Sequence, residues 1–166
     1  AEALVDAGHR AIVVSAGGRL LPRLEAVGGE HITLDIGRKS PTVLRHIRTL
    51  RHLFAEVDAD IVHARSRLPA WLGLWAFRGM GGQRPHFVTT AHGLNSPSRY
   101  SAIMARGERV ICVSRTVRDY LLSHYPATDP TRLVVIPRGI DPAVFPRTPH
   151  PDRAARARIA DLHPQL

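Results

Sequence analysis

Six short apolar runs, most of them rich in β-branched residues, recur along the chain: AIVVSAGG, HITLDI, DIVHARS, HFVTTAHG, RVICVS and RLVVIPRGI. Segments with helical character separate them. The opening AEALVDAGHR predicts a helix, favoured by Ala, Leu and Val and stopped by Gly8. RLLPRLEAVGG predicts a short helix that tolerates Pro22 only in its first turn. Ser40-Pro41 supplies an N-cap followed by proline at the first helical position. The helix it opens is expected to run to about Val57, with Val43, Ile47, Leu50 and Phe54 along one face. PAWLGLWAFRGMGG reads as an apolar helix with a glycine stop, PSRYSAIMARG as a short helix and RTVRDYLLSHY as a helix.

The alternation of strands with helices fixes the class. The runs at 86–91, 109–113 and 132–136 are nearly continuous in apolar character, as in strands buried on both faces. A mostly parallel sheet covered by helices follows, giving an α/β, doubly wound, Rossmann-like domain. No internal repeat or low-complexity segment interrupts it. Residues 1–147 are expected to form this domain. Residues 148–166 are too poor in apolar side chains to add a core layer, and read as a linker and helix leading to a further domain. The chain opens inside a helix with no strand before it, and is expected to be a fragment of a longer protein.

Composition narrows the function only partly. A chain of 166 residues with 44% hydrophobic and 22% charged residues has the make-up of a soluble globular domain with a real core. Its longest apolar stretch, Leu68 to Phe77, is about half of the roughly 20 residues a membrane span needs. No basic, signal-like leader opens the chain. The single cysteine, Cys112, excludes an internal disulfide and reads as a core thiol. The net charge of +9 admits nucleic acid, an anionic membrane or phosphorylated ligands as partners. Only Lys39 among the 23 basic residues is a lysine, so GC-rich coding is an equal explanation of the arginines.

In open parallel sheets, ligands bind outside the carboxyl ends of the strands. Those exits carry Ser15, Gly17 and Gly18; Asp35, Gly37 and Arg38; His63, Arg65, Ser66 and Arg67; His92, Gly93 and Asn95; Ser114 and Arg115; and Arg138, Gly139 and Asp141. Histidines and arginines therefore converge on one rim, a candidate ligand cleft. Loops are polar in any case, and Ser114 doubles as a helix N-cap. On the opposite edge Asp58 to Asp60 reads DAD, a spacing some sugar-transferring enzymes use for a divalent metal, but here it precedes its strand and reads as a helix-to-strand turn. The sequence has no zinc spacing, dinucleotide fingerprint, phosphate loop or Gly-x-Ser-x-Gly elbow. Glycosidase chemistry needs two carboxylates flanking a sugar, and the rim offers only Asp35 and Asp141, both in turns.

DIVHARSRLPAW, VTTAHG, RVICVSRTVRDYLLSHYP and DPTRLVVIPRGIDPAVF resemble, in this order and spacing, the N-terminal half of the family-four retaining glycosyltransferases. The resemblance runs from about Ala1 to Phe145, and HARSRLPAW is similar to a bacterial subgroup associated with lipopolysaccharide core and related envelope glycans. It implies a GT-B enzyme of two Rossmann-like domains facing across a cleft. The N-terminal domain would bind mainly the acceptor. The C-terminal one would hold most of the nucleotide-sugar donor, with a basic pair and a Glu-x7-Glu motif that this chain lacks. The family's usual first strand and its Gly-Gly loop are also absent here. The family's common Asn-Gly-Val-Asp stands here as Arg138-Gly139-Ile140-Asp141, an Arg-for-Asn departure.

By the same resemblance His92 is the catalytic histidine, hydrogen bonding to the transferring sugar, and Gly93 admits backbone close to the ligand. The competing reading of His92 is a turn or packing residue. His63, Arg65 and Ser66 would line the acceptor side. Gly17, Gly18, Asn95, Arg115, Arg138 and Gly139 complete the expected substrate-binding set, Arg115 beside a helix N-terminus suited to an anion. The implied partners are a nucleotide-sugar donor and a glycan or lipid-linked acceptor, with no metal or other cofactor and no nucleic acid. Arg45, Arg48 and His52, with Arg51 nearby, lie off the apolar face of their helix. Two readings stand for them: peripheral contact with an anionic inner membrane surface of a cytoplasmic enzyme, or a plain solvated face. Two alternatives to an enzyme remain: a non-catalytic sugar-nucleotide-binding Rossmann domain, and a basic nucleic-acid-binding domain. The second has the charge but no recognition motif, and only nine Phe, Trp and Tyr residues in all.

Overall fold

A computed structural model describes residues 1–165 except 83, 146 and 148–151. In chain order the elements are α1 (Glu2–Asp6), β1 (Ile12–Ser15), α2 (Leu21–Ala26), β2 (Glu30–Thr33), a 3-10 turn (Pro41–Arg45) leading into α3 (His46–Glu56), β3 (Ile61–Ala64), α4 (Arg67–Phe77) and β4 (His86–Ala91). A second 3-10 turn (Ser101–Ala105), β5 (Arg109–Cys112), α5 (Arg115–His124), a third 3-10 turn (Pro130–Arg132), β6 (Leu133–Val135) and α6 (Arg153–Leu162) complete the chain. Every strand pairing is parallel, and each crossover carries a helix or a 3-10 turn. The α/β, Rossmann-like class read from the sequence is the class observed.

The strands divide between two sheets, β1–β2 and β3–β4–β5–β6. No ladder joins β1 to β3. The smaller sheet is held to the larger body by packing: Val14, Leu34 and Ile36 lie against a core built from Val43, Leu50, Phe54, Ala70, Leu72, Phe77, Phe87 and Ile103. Three aromatic rings centre that core, Phe77 stacking on Phe54 at 5.5 Å between centroids and meeting Phe87 edge-on at 5.3 Å. A second cluster under α5 gathers Ala91, Val110, Cys112, Val117, Leu121 and Leu133. Cys112 is fully buried there, and burial pushes its thiol above the ordinary range, as suits an inert core thiol.

Local chemistry explains most element boundaries. Gly8 ends α1 in the left-handed region at φ 81°, and Ser114 Oγ caps α5 by accepting from Val117 N–H at 3.2 Å. Asp58, at φ 48°, makes the tight exit from α3, so Asp58 and Asp60 are turn residues at the amino edge of the sheet.

Three expectations need correction. The helix expected from Pro41 to Val57 begins as a 3-10 turn, where Ser40 Oγ accepts from Thr42 N–H at 3.4 Å and β-branched Thr42 and Val43 follow the proline. PSRYSAIMARG also winds only as a 3-10 turn, because Thr89 Oγ1 takes the Met104 carbonyl at 2.7 Å and Ser98 Oγ takes the Ser101 N–H at 3.0 Å. The third apolar run, β6, is an edge strand rather than one covered on both faces, and leaves Val134 41% exposed. At the far end, Asp152 Oδ1 caps α6 by accepting from Ala155 N–H at 3.0 Å, and α6 buries no residue; residues 148–151 of the expected linker lie outside the described residues.

Candidate functional site

Side chains two apart on a strand share a face. His63 of β3 sits opposite Val88 of β4, so Thr90 lies diagonally ahead of it on the same face. His63 Nε2 and Thr90 Oγ1 are hydrogen bonded at 2.6 Å, with Thr90 itself buried. Continuing the same alternation, Arg65 and His92 follow on that face beyond the two strand ends. Beyond β6 the chain stays in ladder contact through Ile136 N–H to Cys112 C=O at 2.9 Å, then carries Arg138 back across the rim. A terminal guanidinium nitrogen of Arg138 donates to His92 Nδ1 at 2.7 Å. Residues from three strand exits thus meet at one point.

The electrostatics of this cluster follow from its composition. Burial lowers the His63 pKa, and repulsion from Arg65, and from His92 whenever it is protonated, lowers it further. Burial likewise lowers that of His92, assisted by Arg65 and Arg138. Both imidazoles are therefore biased toward the neutral form. An arginine has no acceptor, so Nδ1 of His92 must be unprotonated when it receives the Arg138 bond. The proton then sits on Nε2, leaving a neutral N–H donor available at the rim. The acids of the strand bodies lie at the other edge. Glu30 pairs with Arg10 at 2.6 Å, and Glu108 with His86 at 2.7 Å, where the His86 hydrogen bond holds its carboxyl below the usual range.

This arrangement gives a pH dependence with a definite sign. The unfolded chain takes up protons on these imidazoles near the ordinary histidine pKa of about 6.5, whereas the folded chain resists until lower pH. The unfolded state binds more protons in that window, so stability rises with pH there. The contribution is complete above the ordinary value and is lost as pH falls through it toward the depressed folded values. The thermal midpoint between pH 5 and 8 is expected to fall on the acid side, and His63→Gln with His92→Gln to flatten that slope. An unchanged slope in the double variant would place the proton uptake elsewhere.

The other residues read from the sequence fall around this cluster with varying closeness. Arg65 is exposed beside both histidines and acts on both through its charge. Gly93 follows His92 with open space where a Cβ would stand, and its carbonyl accepts from Asn95 N–H at 3.1 Å. Asn95 is anchored by Tyr120 Oη, which donates to its carbonyl at 2.6 Å. Gly17 and Gly18 lie after β1, on the smaller sheet, at φ 94° and 144°, a conformation that requires glycine. Ser66 is the N-cap residue of α4 but makes no side-chain cap bond, and Arg115 is an exposed first residue of α5. Neither makes a side-chain contact to the His63–His92 cluster among the described hydrogen bonds. Gly139 follows Arg138 in the open.

Thr90, which carries the His63 contact, was missed; strand alternation would have found it, since Thr90 and His92 are two apart. His31 of β2 repeats the same diagonal motif in the smaller sheet, its Nε2 hydrogen bonding Ser15 Oγ at 2.9 Å.

The chain matches the family model described as Glycosyltransferase Family 4 over residues 1–144, and it belongs to that family. Among solved structures it is similar to a glycosyltransferase from Rickettsia africae, at 29% identity and a TM-score of 0.74, covering 98% of this chain and 43% of that one. It also shares a fold with Anabaena Alr3699/HepE, a structure in complex with UDP and glucose, at 17% identity and a TM-score of 0.59, covering 99% of this chain and 44% of that one. A stretch of 53 residues is 43% identical to the alpha-maltose-1-phosphate synthase of Mycolicibacterium smegmatis, which is 31% of this chain and 14% of the synthase. The chain therefore spans less than half the length of each of these proteins. The GT-B half-domain read from the sequence is the fold these structures share.

Proposed function

We propose that this chain forms the acceptor-side domain of a retaining glycosyltransferase that moves a hexosyl group from a nucleotide-sugar donor to a glycan or glycolipid acceptor. The His92–Arg138 contact carries the reading. It holds Nδ1 as the acceptor and so leaves the imidazole proton on Nε2, a donor at the rim. A neutral donor suits a sugar hydroxyl, and the neighbouring guanidinium groups of Arg138 and Arg65 suit a phosphate. In the transfer, the anomeric C–O bond breaks and its electron pair leaves on the diphosphate. The acceptor oxygen bonds to the same face of the anomeric carbon, and its proton passes to the departing phosphate oxygen. His92 holds the transferring sugar while positive charge grows on its ring, and the arginines offset the leaving negative charge. No metal is needed in this scheme, because guanidinium groups supply the cationic charge and Asp58 and Asp60 stand at the far edge.

The HARSRLPAW segment supports an envelope-glycan acceptor of the lipopolysaccharide-core kind, and a lipid-linked acceptor supports a cytoplasmic enzyme resting on the membrane's inner face. On α3 and the 3-10 turn that leads into it, Arg45, Arg48 and His52 remain exposed, while Arg51 is withdrawn to donate to the Ala76 carbonyl at 3.2 Å. No helix among the described residues is long and apolar enough to cross a membrane. The test is a panel of nucleotide sugars incubated with the full-length protein and a glycan or glycolipid acceptor, read by nucleoside diphosphate release and by the anomeric configuration of the product. Acceptor-dependent release with retention is expected. Tight donor binding with no release would favour the non-catalytic sugar-nucleotide-binding reading.

A further inference from the structure

From Ile61 to Gly107 the sequence contains no aspartate or glutamate, but it carries six arginines: Arg65, Arg67, Arg78, Arg84, Arg99 and Arg106. The fold collects most of them on one surface. α4 and the Ser101–Ala105 turn enclose a groove of about 500 Å³, lined by Leu68, Trp71, Trp75, Tyr100 and Ala102 and rimmed by Arg78, Arg99 and Arg106. Trp71 and Trp75 sit 5.3 Å apart between ring centroids, and Trp71 Nε1–H donates to the Tyr100 carbonyl at 2.9 Å. Arginines cover the outer ring faces: Arg106 lies over Trp71 at 5.5 Å, and Arg67 over Tyr100 at 5.2 Å while donating to Ser101 Oγ at 3.1 Å. None of Arg67, Arg78, Arg99 and Arg106 pairs with a carboxylate among the described residues.

Two features choose the occupant. The floor is apolar and aromatic, and the lining has no Asp, Asn, Glu or Gln to hold the hydroxyls of a sugar chain. The rim is cationic and has no internal counter-charge. An amphiphile with an anionic head meets both requirements, because Trp and Tyr prefer a boundary with one wet and one apolar side and arginine stems reach along apolar surface to place their charge on phosphate. The basic face of α3 offers charge without such a floor, since its one aromatic residue, Phe54, is buried.

We propose that the groove between α4 and the Ser101–Ala105 turn is the surface by which this chain rests on a bilayer containing anionic phospholipid, aromatic rings at headgroup depth and arginines on the phosphates. The proposal rests on the membrane part of the function proposed above and is independent of its sugar-transfer part.

Both tryptophans of the chain line the groove, so its intrinsic fluorescence reports on this surface directly. Vesicles of phosphatidylcholine with about one-third phosphatidylglycerol are expected to bind the chain and shift its tryptophan emission to the blue, whereas pure phosphatidylcholine vesicles do so weakly. Lipids brominated near the headgroup are expected to quench that emission. Arg78→Gln and Arg99→Gln change exposed side chains outside the core, and each is expected to weaken binding about fivefold. The paired change Arg45→Gln with Arg48→Gln, at the start of α3 and in the turn before it, is expected to weaken it less. Equal binding to both vesicle types, unmoved emission on binding, or a larger loss from the α3 pair would overturn the proposal. An equal emission shift with inorganic pyrophosphate alone would also overturn it, by making the groove a soluble-anion site. Nucleoside diphosphate release on a soluble acceptor is expected to survive Arg78→Gln, which separates failure of this proposal from failure of the transfer reading.

Discussion

Replacing His92 with alanine is expected to lower turnover of the full-length protein by about 10²–10³-fold, the usual cost of removing one preorganised donor from a reacting centre. Donor affinity stays within a few-fold. The split follows from the role proposed above: His92 is held from one side by Arg138 and keeps Nε2–H for the sugar, while the nucleotide is proposed to bind mainly elsewhere. Removing it leaves Arg138 on an exposed rim, so the fold is not threatened. His92→Gln keeps a neutral donor and is expected to recover part of the loss. Initial-rate kinetics paired with calorimetric donor binding check both halves. Unchanged turnover would take His92 out of the mechanism, and a parallel loss of donor affinity would make it a binding residue.

Gly107→Ala is expected to be the most damaging single methyl in the molecule, costing roughly 3 kcal/mol, at the upper end for overpacking a tight core. A Cβ at this position would collide with the Arg109 carbonyl and approach the Thr89 hydroxyl at 2.8 Å and the Thr89 backbone nitrogen at 3.0 Å. These neighbours cannot yield cheaply. Thr89 is fully buried and its hydroxyl holds the Met104 carbonyl at 2.7 Å, so any shift disturbs the β4–β5 ladder and the turn beneath it together. A fall of roughly 6–12 °C in thermal midpoint is the corresponding shift for a domain of this size. Gly79→Ala provides the contrast. Its Cβ meets only the Arg51 guanidinium, the far end of a flexible side chain, and its cost is expected to be limited to the Arg51–Ala76 hydrogen bond. Equal midpoints for the two variants would refute the distinction.

The sequence was most informative where a single periodicity ruled. β4 begins and ends at the residues expected from its apolar run, and Ser114 caps its helix as its position before RTVRDY suggests. It was least informative where tertiary hydrogen bonds compete with helical ones. Nothing in PSRYSAIMARG announces that Thr89, 15 residues before Met104, will claim the Met104 carbonyl. The rim shows the same division. His63 and His92 were legible as strand-exit residues, but the reach of Arg138 across β5 to His92 depends on where β6 pairs, which no local pattern encodes. Thr90 was hidden because it lies inside an apolar run and reads as a β-branched strand former. Trp71 and Trp75 were read only as apolar helix positions, since their partners Tyr100 and Arg106 come from a turn about thirty residues on.

The His92–Arg138 bond reaches across the width of β5 to join the exits of β4 and β6. Its guanidinium partner is open to solvent, so an anion drawn to Arg138 competes with the imidazole for the same donors. The bond is thus a latch on the rim that a negatively charged group can lift, and lifting it frees His92 Nδ1 as an acceptor.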